Sequence, residues 1–289
     1  MNIGLVDVDG HNFPNLALMK ISSFHKAQGD TVEWAIGYVP YDRVYMAKVF
    51  TFSPDENTAY QGEIVQGGTG YDLSSRLPDE VERCYPDYGL YGITDTAYGY
   101  LSRGCPRGCS FCIVGDKEGK QSRKVADLRD WWNGQKHIKL LDPNITACSD
   151  FFDLMGQLEE SRACVDFTQG LDIRLMTEEK AAAINRVRHK TLHFAWDDPK
   201  DEVAYRKLEQ FRNVWKVHES KRVVYVLTNF NSTHEEDLTR VEMLRSIGYE
   251  PYIMIYDKPN SPKITRKLQR YVNNKIIFRS ARSFDEYNG

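Results

Sequence analysis

The sequence predicts an α/β protein: a small α/β domain over residues 1–92, then an open, partial barrel of six strand–helix units over 93–289, with a C-terminal extension. Three observations predict it. Short apolar runs alternate with stretches of helical spacing, helix-start signals stand before several of those stretches, and from about Thr94 the two kinds of segment follow one another regularly. Strands joined through helices pair in parallel by right-handed crossovers. A full ring of such units closes a barrel, whereas six leave it open, with functional groups at the carboxyl ends of the strands.

In the front domain, Asn2 to Val8 is a short apolar strand. Pro14 to Ala27 carries Leu16, Met19, Ile21 and Phe24 at helical spacing, and Gly29 closes that helix. Further strands are expected at Thr31 to Ile36, Arg43 to Phe52 and around Ile64 to Gln66, before an irregular connection to about Gly92. The barrel strands are expected at Ala97–Ser102, His137–Leu141, Cys164–Thr168, Thr191–Ala195, Arg222–Leu227 and Pro251–Tyr256. The helices after them are expected at Arg123–Trp132, Ser149–Arg162, Thr177–His189, Asp201–Glu219, Thr233–Ile247 and Pro262–Val272. Thr233-His234-Glu235-Glu236 is a capping-box pattern, and Thr177-Glu178-Glu179 places acids in a first turn.

At 41% hydrophobic and 27% charged residues, the 289-residue chain has an ordinary composition for a globular protein. Its net charge of −3 gives no global basic field for a nucleic-acid partner. The basic stretch Lys263 to Arg282 reads as a solvated helix face. No apolar run approaches the roughly 18 residues that span a bilayer. The start, MNIGLVDVDG, carries acids inside its apolar segment and reads as a buried strand, so a cytoplasmic location is expected. In a reducing compartment the six cysteines point to metal ligation or catalysis more than to disulfides.

Three of those cysteines fall within eight residues: Cys105-Pro106-Arg107-Gly108-Cys109-Ser110-Phe111-Cys112, just after the first barrel strand. Glycine and proline let such a loop wrap an inorganic centre, and thiolates are the usual ligands of iron–sulfur clusters. Three ligands for four irons leave one iron open to a substrate. A structural zinc site is the competing reading, its fourth ligand coming from His137, Cys148 or Cys164.

Cys105-x3-Cys109-x2-Cys112, with Phe111 before the last cysteine, resembles the signature of the radical S-adenosylmethionine superfamily. The resemblance covers about Thr94 to Tyr256. It implies a 4Fe-4S cluster held by the three cysteines in the loop after the first strand of a partial barrel. It also implies S-adenosylmethionine chelating the open iron and a one-electron reductant such as flavodoxin or ferredoxin. Reductive cleavage then yields a 5′-deoxyadenosyl radical that takes hydrogen from a substrate the sequence does not identify.

The family's geometry places cofactor contacts at the strand ends. Asp142, with Asn144 second, falls where the family holds the methionyl amine, although the family's glycines and glutamate are absent here. The competing reading is an Asp-Pro-Asn turn. Gln169, Asp172 and Arg174 follow the third strand; Arg174 suits a carboxylate, or an ion pair with Asp172 or Glu178. Asp197, beside Asp198, stands where ribose hydroxyls are met, and Thr228 and Asn229 where adenine is met. Trp196 and Phe230 read equally well as core.

The front domain resembles a shortened, Rossmann-like cobalamin-binding domain of the kind found ahead of many such enzymes. Its Asp9-Gly10-His11 matches the topological position of a ligating histidine, but Pro14 stands where that motif has glycine. A degenerate domain without cobalamin is the favoured reading. A cobalamin-dependent methyltransferase and a non-catalytic zinc-binding module are the alternatives. Cys84, Cys148 and Cys164 stand too far apart for a second clustered set.

Overall fold

In a computed structural model describing residues 1–10, 13–281 and 283–288, β1 (Asn2–Asp7) runs as an apolar strand whose Ile3 and Leu5 are almost fully buried. The next element, α1 (Leu16–Ala27), begins where Asn15 accepts the Ala17 and Leu18 amides at 3.1 and 3.3 Å. That cap, and not Pro14, sets its start. Then come β2 (Thr31–Trp34), β3 (Pro40–Ala47), β4 (Gln61–Gly67) and the short α2 (Asp79–Glu82). The four strands form one parallel sheet in the order β2-β1-β3-β4. Ile3, Leu5, Leu18, Ile21, Ala47 and Val81 pack on one face, and Val6, Tyr41, Val44 and Met46 on the other.

The chain divides into two compact units, Met1–Lys139 and Leu140–Gly289. The first continues with β5 (Thr96–Gly99), β6 (Ser102–Arg103), α3 (Val114–Lys117), β7 (Arg123–Lys124) and most of β8 (His137–Leu140). The helix expected over 123–132 does not form. Arg123 and Lys124 are drawn into antiparallel pairing with β6 instead. The Asp127–Asp130 capping box supports one 3-10 turn, after which buried Trp131 donates its indole N–H to the Tyr100 carbonyl. The strand expected over 43–52 lies earlier, and the connection before Gly92 contains α2 and a 3-10 turn at Tyr88–Tyr91.

The second unit holds α4 (Phe151–Ser161), β9 (Cys164–Phe167), α5 (Glu178–Arg186), β10 (Leu192–Ala195), α6 (Glu202–Phe211), β11 (Arg222–Thr228), α7 (His234–Ser246), β12 (Glu250–Ile255), α8 (Lys263–Asn273) and α9 (Lys275–Ser280). Strands β10, β11 and β12 pair in parallel in that order. Leu192 and Phe194 are buried on one face, with Phe194 packed on Trp215 at 5.1 Å between ring centres. Helix α6 stops eight residues before the expected Glu219, because Trp215 turns inward to give its N–H to the Tyr249 hydroxyl at 3.0 Å. The capping box at Thr233 and Glu236 forms as expected. The basic stretch forms amphipathic α8, which buries Leu268, Tyr271 and Val272; Arg282 lies outside the described residues. No helix among the described residues is long and apolar enough to cross a membrane.

Candidate functional site

The cysteine loop springs from a two-stranded base. Ser102 pairs with Lys124 and Arg103 with Arg123, so the chain leaves and returns side by side. Just inside the base, the Cys105 amide donates to the Gly119 carbonyl at 3.0 Å. Gly104 makes that approach with φ +92°; a Cβ there would lie 2.1 Å from the Gln121 carbonyl oxygen. Farther along, the Cys112 amide turns back to the Cys109 carbonyl at 3.0 Å, and α3 follows. Cys105 and Cys109 are half-buried and Cys112 is exposed.

All six cysteines are described, and none is in a disulfide. Cys148 and Cys164 are buried and Cys84 is half-buried. Among the described residues, no group of three or more His, Cys, Asp or Glu side chains is gathered so as to hold a metal ion. A structural zinc needs four ligands on one ion. An iron–sulfur cube instead takes one thiolate per iron, and metal binding is coupled to closure of the loop that carries the ligands. Three soft thiol donors on one short, glycine-bearing loop suit the cube.

In the second unit, the strand ends carry a connected polar network. Asn144, buried, donates from Nδ2 to Asp172 Oδ2 at 3.2 Å and accepts the Thr146 hydroxyl at 2.6 Å. Thr146 Oγ1 in turn accepts the Asp172 amide at 3.2 Å. Asp172 Oδ1 accepts Arg174 Nε at 2.6 Å, and Arg174 Nη1 reaches Asp201 Oδ2 at 3.0 Å. Asp201 also caps α6 through the Ala204 amide. Thus Asn144, Asp172 and Arg174 are brought together, with Thr146 and Asp201 as members the sequence reading missed. Thr146 had no sequence signal, whereas Asp201 stood in an N-cap position. Asp142 is buried just after β8, and Gln169 is exposed.

Asp197, half-buried after β10, has its carboxyl pushed up to about 6 by burial, against the pull of Arg174 and Arg240 and with Asp172 and Asp201 adding to the rise. Arg240 of α7 was also missed, because a mid-helix arginine normally reads as surface. It is 1% exposed and donates to the carbonyls of Trp196, Asp197 and Leu227 at 2.8 to 2.9 Å, and to Asp237 Oδ1 at 2.5 Å. One guanidinium therefore ties down the ends of β10 and β11, where Asp197 and Thr228 sit. Thr228 is fully buried and bonds the Met254 carbonyl; Asn229 takes φ +61° and donates to the Tyr256 carbonyl at 2.8 Å. Trp196 is buried, and Phe230 is exposed with its ring against Tyr256.

Side chains on the opposite face of β10 to β12 form a second feature with no sequence signal. His193 lies 3.9 Å from Asp166 on β9 and stacks parallel on Tyr225 at 5.5 Å; Tyr225 meets the edge of Tyr252 at 5.8 Å. Burial, with Asp166 and Tyr252 close by, pushes the Tyr225 hydroxyl up. Tyr252 and Met254 of β12, and Tyr256 just after it, are between 39% and 47% exposed.

Known structures share this arrangement of elements. A radical S-adenosylmethionine methyltransferase, TsrM, from Kitasatospora setae, solved with cobalamin and a [4Fe-4S] cluster, superposes with a TM-score of 0.64 at 10% identity, over 88% of this chain and 74% of that one. The fold is shared with a radical S-adenosylmethionine enzyme. The same TsrM with tryptophan substrate and the analogue aza-SAM gives 0.62 at 10% identity, over 87% and 72%. No protein-family model and no curated protein matches the sequence. At this identity the likeness is one of fold, and the chemistry has to be argued from this chain's residues.

The cobalamin in that structure invites a test on the front sheet. Ligands of open parallel sheets enter at the carboxyl ends of strands where the order reverses, here between β1 and β3. At those ends Asp9, buried, accepts the Val49 and Phe50 amides. Gly68, at φ +97°, packs so that a Cβ would sit 2.3 Å from the Lys48 carbonyl oxygen, and a Cβ on Gly70 would sit 2.9 Å from that of Phe50. The glycine cluster serves the chain's own backbone, which leaves it a poor fit for a large cofactor. His11 lies outside the described residues.

Proposed function

We propose that this chain is a radical S-adenosylmethionine enzyme in which Cys105, Cys109 and Cys112 hold a 4Fe-4S cluster. The observation that carries the reading is the Cys-x3-Cys-x2-Cys loop, closed at its base by β6 and β7, in a chain with the fold of a radical S-adenosylmethionine methyltransferase. Loaded and reduced by one electron from a flavodoxin- or ferredoxin-like donor, the cluster would supply reductive cleavage of S-adenosylmethionine. The chain's part is to bind and orient. Asp142 accepts the methionyl ammonium, with Asn144 beside it. Arg174, whose charge Asp172 and Asp201 already balance, offers the carboxylate a guanidinium that those two pairs orient. Asp197 meets ribose hydroxyls, and Thr228 and Asn229 border the adenine. Gln169 is exposed and serves as a polar contact at the rim. The substrate lies against the face bearing Asp166, His193, Tyr225 and Tyr252.

The same reading takes residues 93–289 as a partial barrel of six strand–helix units and 1–92 as a small Rossmann-like domain. The poor fit at Asp9, Gly68 and Gly70 favours a front domain without cobalamin.

Anaerobic reconstitution with iron and sulfide tests the proposal. A brown protein with iron and sulfide in cluster ratio, bleached by dithionite and forming 5′-deoxyadenosine, is expected. Cys109→Ala should abolish that product. Colourless protein holding stoichiometric zinc would overturn the assignment, and a corrinoid retained through gel filtration would overturn the cobalamin-free front domain.

A further inference from the structure

Both stems of the cysteine loop are tied to one short stretch of the front region. On the entering side, Arg103 donates to Glu82 Oε1 at 3.1 Å and to Glu118 Oε2 at 3.3 Å, with its guanidinium 4.2 Å above the Tyr100 ring. Glu82 is itself anchored to α1 by Lys20, at 2.8 Å. On the returning side, Lys117 Nζ donates to the Ser75 carbonyl at 2.5 Å, and Arg76 donates back to the Lys117 carbonyl. Arg76 also holds the carbonyls of Leu73 and Ser75, at 2.7 and 2.9 Å.

We propose that residues 73–83 are a clasp whose function is to position the cysteine loop, with Arg103 and Lys117 as its two positioning residues. The inference rests on that loop being the cluster site. Arg103 stands two residues before Cys105, and Lys117 five after Cys112. Fixing both stems to one short stretch adds to the β6–β7 pairing in holding the ends of the loop together before any iron arrives. In the Arg103–Glu82 pair the side chains are 21% and 38% exposed, and Lys20 holds Glu82 from α1, so the contact belongs to a network of charges and is not a lone surface pair. Arginine suits the task because its planar fork serves two carboxylates while its face lies on an aromatic ring. On this view the front region acts as a brace for the metal loop.

The full-length chain tests it in two ways. In the apo protein, alkylation of the half-buried Cys105 and Cys109 by iodoacetamide, read by peptide mass spectrometry against the exposed Cys112 as internal reference, reports how often the loop opens. Arg103→Met and Glu82→Gln should each raise the rate about threefold or more, while Arg103→Lys stays closer to wild type. Arg186→Met, which breaks an exposed pair with Glu159, is the control. In the reconstituted protein, the same two variants should bind less iron and alter the electron paramagnetic resonance line shape of the reduced cluster. Glu82→Gln keeps a hydrogen-bonding side chain, so it covers the case in which Arg103→Met fails to fold. Wild-type alkylation rates and spectra in both variants would overturn the clasp. A wild-type chain that takes up no iron would overturn the proposed function, and the alkylation rates would still decide the clasp.

Discussion

Asn144 and Asp172, 28 residues apart in sequence, are joined by a buried hydrogen bond of 3.2 Å from Nδ2 to Oδ2. The bond couples the segment after β8 to the one after β9, and through Asp172 it reaches Arg174 and Asp201. Asp172→Ala would leave Arg174, largely buried, with one carboxylate and would remove the bond from Asn144 Nδ2. The expected loss is about 3 kcal/mol, the scale for removing one partner of a buried ion pair. Urea unfolding followed by circular dichroism measures it.

Asp197 predicts a pH dependence. Its carboxyl is raised from 3.8 to about 6 in the folded chain, first by burial. Between those values the folded state binds more protons than the unfolded one, so stability falls as pH rises through that window. The cumulative cost above the window is about 3 kcal/mol. Asp197→Asn should therefore be more stable than wild type at pH 7, with the difference shrinking toward pH 4. Urea midpoints across that range check the sign.

Arg240→Met should be among the most damaging single changes. It takes the guanidinium donor from three carbonyls and leaves the buried Asp237 carboxylate without its counter-charge, held by the Ser232 hydroxyl. A loss of about 3–5 kcal/mol is expected. Arg240→Lys keeps the charge but cannot span all four acceptors, so it should recover only part of the loss. Thermal melts of both variants test the ordering.

Two glycines of the cysteine loop should differ in their response to alanine. Gly104 and Gly108 both have positive φ, but a Cβ on Gly108 meets nothing within 4 Å, whereas on Gly104 it collides with Gln121 and Gly119 backbone. Gly108→Ala should cost about 1 kcal/mol, from conformation alone. Gly104→Ala must shift the loop base and should sharply reduce iron uptake on reconstitution. Equal iron contents in the two variants would contradict this account.

Local signals explain what was legible in the sequence. The thiol spacing at Cys105, Cys109 and Cys112, the apolar runs of β8 to β12 and the capping box at Thr233 each depend on neighbours within a few residues. The expected helix over 123–132 failed for the opposite reason. Arg123 and Lys124 pair with residues some 20 positions earlier, and Trp131 is pulled inward by a carbonyl on another segment. Arg240 and His193 carried no local signal, since burial of a guanidinium or stacking of an imidazole is decided by partners far along the chain.

For the cysteine loop, the sequence by itself determined the side-chain chemistry: three thiols at short spacing, with glycines that permit the turn. Only the tertiary structure decided how that loop is held, by Arg103 between Glu82 and Glu118 and by Lys117 on Ser75. The physical reason is range. Side-chain type and spacing are properties of a few consecutive residues, whereas the ion pairs of Arg103 and Lys20 and the Lys117 hydrogen bond that restrain the loop form between groups brought together only when α1, α2 and the loop's stems pack.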